Sequence, residues 1–240
     1  MERKLAIFSD IHGNFQALEA ILKDIKEKEV EGIYCLGDVI SIGPNPKECM
    51  ELIIKNNIKM VLGNHDLYYI KGTEIDDEMD EDEIAHAEWT SQQLNDKYKE
   101  YLDKCPLQIK EEIGEYKLAF QHFLFNPNKE DSYPFDDISI VKDNSIKSKM
   151  QLLDADITFI GHEHQPFKVE SNNKKVIDIG SSGCTKDDNT FYTLVSIKDD
   201  DITIDKVNIK YNRKEFEDSF NNTFYPDRDR TAKRIFGINN

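Results

Sequence analysis

The sequence has little of what marks secreted, zinc-knuckle or membrane proteins. Its 240 residues include four cysteines, which are widely spaced and form no C-x-x-C pair. This spacing argues against a disulfide framework or a zinc knuckle and favours reduced thiols. No apolar run reaches the roughly 18 residues of a membrane span. Residues 1–4 lead into a strand-like run without the apolar core of a signal peptide, so we predict a cytoplasmic protein.

Basic residues are also scarce relative to acidic ones. Lys and Arg number 31 against 47 Asp and Glu, which gives a formal net charge of -16. Phosphate groups would be repelled, so the composition excludes long nucleic acids and anionic membrane surfaces as partners. Hydrophobic residues make up 38% of the chain, which is enough for a sizeable core. Because we find no internal repeat and no linker, we predict a single domain over residues 1–240.

Strand and helix patterns alternate over the first 62 residues. Short apolar runs predict buried strands, and apolar residues at helical spacing predict amphipathic helices. In chain order these are a strand at Leu5–Phe8, a helix at Phe15–Ile25, a strand at Ile33–Leu36, a helix at Pro46–Lys55 and a strand at Ile58–Leu62. This order predicts parallel strands, whose carboxyl ends place polar residues at one site.

The remaining chain is less regular. Eight of the ten residues in Glu74–Glu83 are acidic. We interpret this segment as a solvated loop or, alternatively, as a lid that screens substrates by charge. It lies within a predicted insertion at about 71–84. Residues 84–101 predict one helix, with Trp89 and Leu94 on its packed side. Further predicted elements are strands at Glu115–His122, Asp156–Ile160 and Lys175–Ile179, a polar loop with a short helix at 127–153, an antiparallel pair at Phe191–Ile197 and Ile202–Ile209, and a docking tail at about 211–240 with a helix near Thr231–Ile238.

The histidines are concentrated in short polar motifs. Asn64, His65 and Asp66 follow the third strand and are expected to face one cleft. If the chain stays extended after the first strand, Asp10 and His12 point to the same side. Imidazole and carboxylate ligands suit Mn, Fe, Co, Ni or Zn better than Ca. Seven candidate ligands exceed the needs of one tetrahedral zinc and fit two metals bridged by a carboxylate: Asp10, His12, Asp38, Asn64, His122, His162 and His164.

Four motifs in this order resemble those of the calcineurin-like metallophosphoesterase superfamily. They are D-x-H at Asp10–His12, G-D at Gly37–Asp38, G-N-H-D at Gly63–Asp66 and G-H-x-H at Gly161–His164. The resemblance spans roughly Lys4–Ile197. The run Gly37–Pro46, with Trp89-Thr90 and Gly180-Ser181, looks like the bacterial branch of small stand-alone phosphoesterases. The resemblance implies an α/β fold, a four-layer α-β-β-α sandwich of two mixed sheets with flanking helices.

The resemblance also implies roles for the motif residues. Asp10, His12 and His164 would hold a first divalent transition metal ion, and Asn64, His122 and His162 a second. Asp38 would bridge the two ions, for which manganese is the first choice and Fe, Zn, Ni or Co are alternatives. A hydroxide bridging the metals would attack phosphorus. His65 would give a proton to the leaving oxygen or hydrogen-bond a phosphate oxygen, and Asp66 could orient His65.

Other residues carry weaker signals. Phe123 stands where the family usually has glycine, and we expect it to stiffen the loop and narrow the cleft. Cys184 could be a nucleophile, although a small buried thiol is the favoured interpretation. Residues 180–183 could cradle a phosphate or pack under the site. Tyr68 and Tyr69 could stack on a base or pack at the rim. His86 lies on a predicted helix and is expected to be a surface or packed histidine. Arginines are few near the motifs, so metals would have to neutralise the phosphate.

These observations favour a two-metal hydrolase that acts on a small phosphorylated substrate such as a nucleotide or phosphodiester. The alternative within the enzyme class is a protein serine/threonine phosphatase. A non-catalytic scaffold on the same fold is a third hypothesis, which the complete ligand set disfavours.

Overall fold

Two mixed sheets form the centre of the molecule. The computed structural model describes residues 2–77, 79–125, 134–135, 146–199 and 201–238. In chain order the strands are β1 (Arg3–Phe8), β2 (Gly32–Cys35), β3 (Lys59–Met60), β4 (Gln108–Ile113), β5 (Tyr116–Gln121), β6 (Ile157–Ile160), β7 (Phe167–Ser171), β8 (Lys174–Asp178), β9 (Asn189–Lys198) and β10 (Asp201–Lys210). The strand orders are β10-β9-β1-β2-β3 and β4-β5-β6-β8-β7. In the first sheet β1, β2 and β3 are parallel, and β9 and β10 add antiparallel pairs on the other side of β1. In the second sheet the parallel pairs lie at the centre and the antiparallel pairs at both edges.

Helices flank this pair of sheets. They are α1 (Phe15–Ile25), α2 (Pro46–Lys55), α3 (Asn64–Lys71), α4 (Glu81–Gln93), α5 (Asp96–Leu102), α6 (Ile146–Lys149), α7 (Arg213–Asn222) and α8 (Arg228–Phe236). Leu18 of α1 and Met50 of α2 pack in one buried cluster with Phe8 of the first sheet. Ile146 of α6 belongs to the same cluster as Val176 of the second sheet. The α/β sandwich of two mixed sheets predicted from the resemblance is therefore confirmed.

The inner core follows from the two-residue repeat of strand side chains. In β1, Leu5 and Ile7 enter the cluster between the sheets, while Ala6 and Phe8 enter the cluster that contains the helices. All four are at most 1% exposed, which explains why β1 reads as a continuous apolar run. Across the interface, the Tyr34 ring stacks on Phe120 of the second sheet, with centroids 4.0 Å apart.

Two predicted elements differ from the structure, and α3, β4, β7 and α7 were not predicted. The strand at Ile58–Leu62 shortens to Lys59–Met60, because the chain leaves the sheet towards the next motif. The predicted single helix over 84–101 is two helices, since Leu94 is extended and the Asn95 side chain caps α5 by accepting from Lys97 N. Helix α7 was not predicted because its buried face consists of only Phe216 and Phe220. The polar loop predicted from residue 127 lies largely outside the described residues, and the short helix that follows it is α6.

The C-terminal segment docks on the helical layer. Phe216, Phe220 and Phe236 pack with Trp89 of α4 and Ala17 of α1 in one aromatic cluster. This packing sets α8 beside the start of α4. Among the described residues, a membrane-spanning helix is absent, since each helix is too short or too polar to traverse a bilayer.

Part of the acidic segment forms the beginning of α4. The Asp80 side chain accepts a hydrogen bond from Glu83 N, and the Glu83 side chain accepts one from Asp80 N. This reciprocal cap satisfies helix N–H groups, and carboxylates are stabilised by the positive end of a helix. Local helix chemistry thus accounts for the acidic residues at 80–83.

Candidate metal centre

Loops at the carboxyl ends of five strands bring the seven predicted ligands together. Parallel strands of both sheets end at the same side of the molecule, as expected for open α/β sheets. Asp10 and His12 follow β1, Asp38 follows β2, Asn64 follows β3, His122 follows β5, and His162 and His164 follow β6. All are buried except His162 and His164, which are partly exposed.

Three of these side chains form a first group. His12 Nε2 lies 3.0 Å from His164 Nε2. Asp10 Oδ1 lies 3.4 Å from His164 Nε2 and 3.7 Å from His12 Nε2. The second carboxylate oxygen of Asp10 accepts a hydrogen bond from His162 N at 3.2 Å. The backbone therefore holds one oxygen of Asp10, and the other faces the two imidazoles.

Three further side chains form a second group. His122 Nε2 lies 3.0 Å from Asn64 Oδ1 and 3.2 Å from His162 Nδ1. Asn64 Oδ1 and His162 Nδ1 are 3.1 Å apart. The three donor atoms make a nearly equilateral triangle of two nitrogens and one neutral oxygen.

Asp38 connects the two groups. Its Oδ2 lies 3.7 Å from His12 Nε2 and 3.4 Å from His122 Nε2. Its Oδ1 accepts a hydrogen bond from His65 N at 3.0 Å. One oxygen is thus fixed by the backbone, and the other stands between the groups.

The donor geometry fits metal ions. Adjacent ligands around an ion with bonds of about 2.1 Å lie roughly 3.0–3.4 Å apart. The second group matches this range, and the first does so except for the 3.7 Å between Asp10 Oδ1 and His12 Nε2. Asp10 Oδ1 is fully buried and has no hydrogen-bond partner among the described residues, an arrangement that is costly for a carboxylate unless a cation faces it. The two triangles that share Asp38 therefore suit two divalent ions.

The pKa shifts of three of the four imidazoles agree with metal binding, whereas at His164 burial is outweighed by the neighbouring Cys184 and Asp10, which raise the pKa well above its usual value. His122 Nδ1 lies 2.8 Å from the carbonyl oxygen of Leu36, so an N–H there leaves Nε2 free to bind a metal. Burial lowers the pKa of His12 and His122, and lowers that of His162 to about 3. Neutral imidazole is the form that coordinates metals.

Several ligands have a strained backbone. Asp10, His12, Asp38, His162 and His164 all have positive φ angles, between 46° and 77°. Such conformations cost about 1–3 kcal/mol each in non-glycine residues and persist where surrounding contacts impose them. The predicted extended chain at Asp10–His12 is therefore wrong. These left-handed turns, rather than strand alternation, bring the side chains together.

Backbone hydrogen bonds impose these turns. Asp10 N donates to Gly37 O and His12 N to Asp38 O, at 3.1 and 3.0 Å. Glycines allow the close contacts, since a Cβ at Gly63 would lie 2.6 Å from Asp38 N, a distance that real side chains do not reach. The glycine of the G-N-H-D motif is thus required by the approach of two loops.

Asp66 and His65 differ from their predicted pairing. Asp66 is fully buried in the first turn of α3, and its Oδ2 accepts hydrogen bonds from Asp38 N at 2.8 Å and Gly63 N at 3.0 Å. His65 Nδ1 has no hydrogen-bond partner in the part of the chain that the structure describes. Asp66 therefore holds the Asp38 loop instead of facing the cleft, while the His65 ring lies 5.0 Å from that of His12. Burial and nearby imidazoles lower the pKa of His65 to about 3.

Tyr68 is a positioning residue that the sequence did not reveal. Its hydroxyl accepts a hydrogen bond from Asn64 Nδ2 at 3.4 Å and donates to Asp76 Oδ2 at 2.6 Å. This contact turns Asn64 Oδ1 towards His122 and His162. Tyr68 is buried, so it packs below the site and does not offer a stacking surface.

Replacement of Tyr68 by phenylalanine is expected to weaken the second metal site. Without the hydroxyl, Asn64 loses the contact that orients its oxygen, and changes to such supporting groups typically cost about 10–100-fold in metal affinity or activity. Metal titration monitored by calorimetry would measure the loss. Tyr69→Phe is the control, because Tyr69 donates to Asn95 O outside the site. Equal affinities for Tyr68→Phe and wild type would contradict the assigned role.

Three other candidates have structural roles. The Phe123 ring is fully buried and lies 4.8 Å from that of His162, so it supports a ligand from below and does not narrow the cleft. Backbone N–H groups of Ser182 and Gly183 donate to Ser9 O and Asp10 O, so loop 180–183 packs on the Asp10 loop. His86 is a packed helix histidine, with Nε2 2.9 Å from Pro226 O.

A cleft beside the site is lined by residues that are far apart in the sequence. It lies between the start of α4 and helix α8, and His65, His86, Glu83, Arg230 and Arg234 are among its lining residues. Arg230 bridges the two helices through an ion pair of 2.7 Å with Asp82. The sequence suggested few arginines near the motifs. Folding brings two of them, from more than a hundred residues away in the sequence, to a cleft that His65 also lines.

A two-sheet sandwich with Asp, Asn and His side chains at its strand ends is the arrangement of metallophosphoesterases. The family model described as "Calcineurin-like phosphoesterase superfamily domain" matches residues 4–200, and the chain belongs to this superfamily.

Several individual proteins are similar to this chain. The chain is 31% identical to "Uncharacterized protein MJ0912" of Methanocaldococcus jannaschii over 225 residues, 88% of each chain. The fold is similar to that of hypothetical protein PH1004 from Pyrococcus horikoshii OT3, with a TM-score of 0.78, 21% identity and 99% of each chain covered. A 67-residue match, 34% identical, joins it to a symmetrical bis(5'-nucleosyl)-tetraphosphatase of Actinobacillus pleuropneumoniae and covers 27% of this chain and 25% of that protein.

Proposed function

We propose that this protein is a two-metal phosphoesterase that hydrolyses small phosphate esters. The observation that carries the proposal is the pair of donor triangles with Asp38 Oδ2 between them, 3.7 Å from His12 Nε2 in one and 3.4 Å from His122 Nε2 in the other. Asp10, His12 and His164 would hold one ion, and Asn64, His122 and His162 the other. Two divalent ions, with manganese as the first choice, would draw charge from the phosphate and lower the pKa of a bound water.

Side chains of the protein would then fix the positions of the reacting groups and supply a proton to the leaving oxygen. Asp38 keeps one oxygen on His65 N, so the bridging ligand and His65 are held at a fixed separation. A bound phosphate would raise the pKa of His65 from its value of about 3 in the free protein, because a nearby negative charge favours the imidazolium. The imidazolium would then donate a hydrogen bond to the phosphate and its proton to the leaving oxygen. Asp66 would act indirectly by fixing the loop that carries Asp38.

Hydrolysis of an aryl phosphodiester and the matching monoester tests this proposal. With added Mn²⁺, the wild-type chain is expected to bind two ions and turn over the diester, and His65→Ala is expected to lose more than about 100-fold in kcat. Tyr69→Phe is a control on the same helix. Two bound ions with monoester turnover alone would favour the protein phosphatase alternative, which a phosphoserine peptide then tests. Absence of metal binding and of turnover would support a scaffold.

The cleft between α4 and α8 offers one arginine to a small substrate with more than one phosphate. His65 and Arg234 both line it, together with the carboxylates of Asp80, Asp82, Glu83 and Asp227. Arg230 pairs with two of these carboxylates, whereas Arg234 is exposed to solvent and offers a planar donor group for phosphate oxygens. The net charge of -16 disfavours long nucleic acids. The short match to a bis(5'-nucleosyl)-tetraphosphatase supports nucleotides with a polyphosphate chain as candidates.

Arg234→Gln is expected to separate such substrates from simple ones. Hydrogen bonds to a charged group contribute about 1.5–3 kcal/mol, so kcat/KM for a dinucleoside tetraphosphate is expected to fall about 10–100-fold. Hydrolysis of the aryl diester should stay unchanged, because it carries no distal phosphate. Arg228→Gln is the control, since Arg228 lies on the same helix and pairs with Asp229. Equal losses on both substrates would rule out a distal-phosphate role for Arg234.

A further inference from the structure

Cys184 lies against the first metal group. Its Sγ and the ring nitrogens of His12 and His164 all lie within 4.8 Å of one another. Ligands on opposite sides of an ion lie about 4.4 Å apart when the bonds are about 2.1 Å to nitrogen and 2.3 Å to sulfur. The 4.8 Å limit is slightly wider than that separation, so a small movement of the thiol would let the sulfur share an ion with both imidazoles. The unpartnered Asp10 Oδ1, fully buried, faces the same two rings.

The position of Cys184 is fixed by the loop that carries it. Ser181 Oγ donates to Asp10 O at 2.7 Å and accepts from Cys184 N at 2.8 Å. The neighbouring Gly183 N donates to Asp10 O at 3.1 Å. A Cβ at Gly183 would overlap the carbonyl group of Ile11, so only glycine allows this approach. The thiol is thus held beside the first group by a loop that is bonded to the backbone of Asp10.

We propose that Cys184 is a further ligand of the first metal subsite and makes it selective for a thiophilic ion. The inference rests on the two-metal function proposed above. On binding, the S–H bond breaks, the proton passes to solvent, and a sulfur lone pair forms the bond to the ion. Thiolate sulfur favours zinc, iron(II) and cobalt over manganese and magnesium. The first subsite would therefore prefer Zn²⁺, Fe²⁺ or Co²⁺, while the Asn64 group, which lacks sulfur, accepts Mn²⁺.

Cobalt absorption tests the ligand directly. The full-length protein is stripped with a chelator, loaded with two equivalents of Co²⁺ and scanned in the near ultraviolet, where thiolate-to-cobalt charge transfer absorbs. The wild-type chain is expected to show this band and Cys184→Ser to lose it while still binding cobalt. Cys105→Ser should keep the band, because Cys105 is in none of the candidate ligand groups found among the described residues.

A second measurement uses only the wild-type chain and so does not depend on the folding of a variant. Alkylation of Cys184 by iodoacetamide, followed by mass spectrometry, should slow at least several-fold after loading with Zn²⁺. Cys184 is partly exposed, so the thiol of the metal-free chain is open to the reagent. Equal alkylation rates with and without Zn²⁺ would contradict the proposal.

The remaining outcomes separate this inference from the proposed function. Cobalt binding with diester hydrolysis but no charge-transfer band would overturn the role of Cys184 and leave the two-metal function intact. A band that persists in Cys184→Ser would have the same meaning. If the wild-type chain neither bound cobalt nor hydrolysed the diester, both the role of Cys184 and the proposed two-metal function would be ruled out.

Discussion

Replacement of Asp38 by asparagine is expected to abolish the second bound ion and to lower turnover of a phosphodiester by more than about 100-fold. Loss of a supporting group around a metal typically costs about 10–100-fold, and loss of a shared ligand should exceed this. The amide oxygen of the new side chain would still accept from His65 N, but the amide could not supply a second negative oxygen between His12 and His122. Metal content after dialysis and steady-state kinetics would measure both effects.

The control for this variant is Asp24→Asn, which removes a partly exposed carboxylate on α1 that accepts from Tyr192 Oη. This change should leave metal content and turnover as in the wild-type chain. If the Asp38→Asn protein kept two ions and full activity, Asp38 would not be a shared ligand, and the assignment of two subsites would fail.

Gly63→Ala is expected to lower turnover about as much as Asp38→Asn does, although it adds only one methyl group. The backbone at Gly63 has φ of -94°, which alanine adopts without strain, so the consequence comes from crowding alone. The added Cβ would lie 2.7 Å from Asp38 Cγ. Asp38 must move, and we expect turnover to fall by about 100-fold or more, because small displacements of catalytic groups have such effects. Overpacking should also destabilise the fold by about 1–3 kcal/mol.

Gly114→Ala separates loss of stability from loss of function. Gly114 has φ of 62° and lies in the β4–β5 turn, where a Cβ would meet only ordinary contacts at 3.9 Å. Alanine there should reduce the free energy of unfolding by about 1 kcal/mol while turnover stays normal. Urea unfolding and diester kinetics on both variants would show the contrast. Normal turnover of Gly63→Ala would mean that the Asp38 loop tolerates displacement.

The order of the motifs and the first helices could be predicted because their signals are local. Helix α1 begins at Phe15, as its apolar spacing predicted, and Asn14 caps it by accepting from Ala17 N. The seven predicted ligands were chosen by residue type and position after strands, and the structure brings all seven side chains together. By contrast, α7 was not predicted because its apolar face is two residues long. Edge strand β7 was not predicted either, because its residues are only half-buried or exposed.

The roles of Asp66, Phe123 and Tyr68 could not be predicted because each depends on a neighbour that its own position in the sequence does not reveal. Asp66 binds a backbone N–H that is 28 residues away. Phe123 packs under His162 instead of lining the cleft. Tyr68 joins Asn64 to the acidic residue Asp76. Residue type alone suggested that each of them lies near the substrate. In the folded protein each instead packs against, or hydrogen-bonds to, a predicted ligand or the loop that carries it.

The sequence by itself determined which donor atoms this protein has and the strand ends at which they stand, since residue type and local periodicity are written along the chain. The tertiary structure decided how the donors are used. Hydrogen bonds between loops accompany left-handed turns at five of the seven predicted ligands, direct one oxygen of Asp10 and of Asp38 to the backbone, and place Cys184 beside His12. These contacts join loops that follow strands of both sheets. Only the packing of the two sheets brings those loops within a few ångströms of one another.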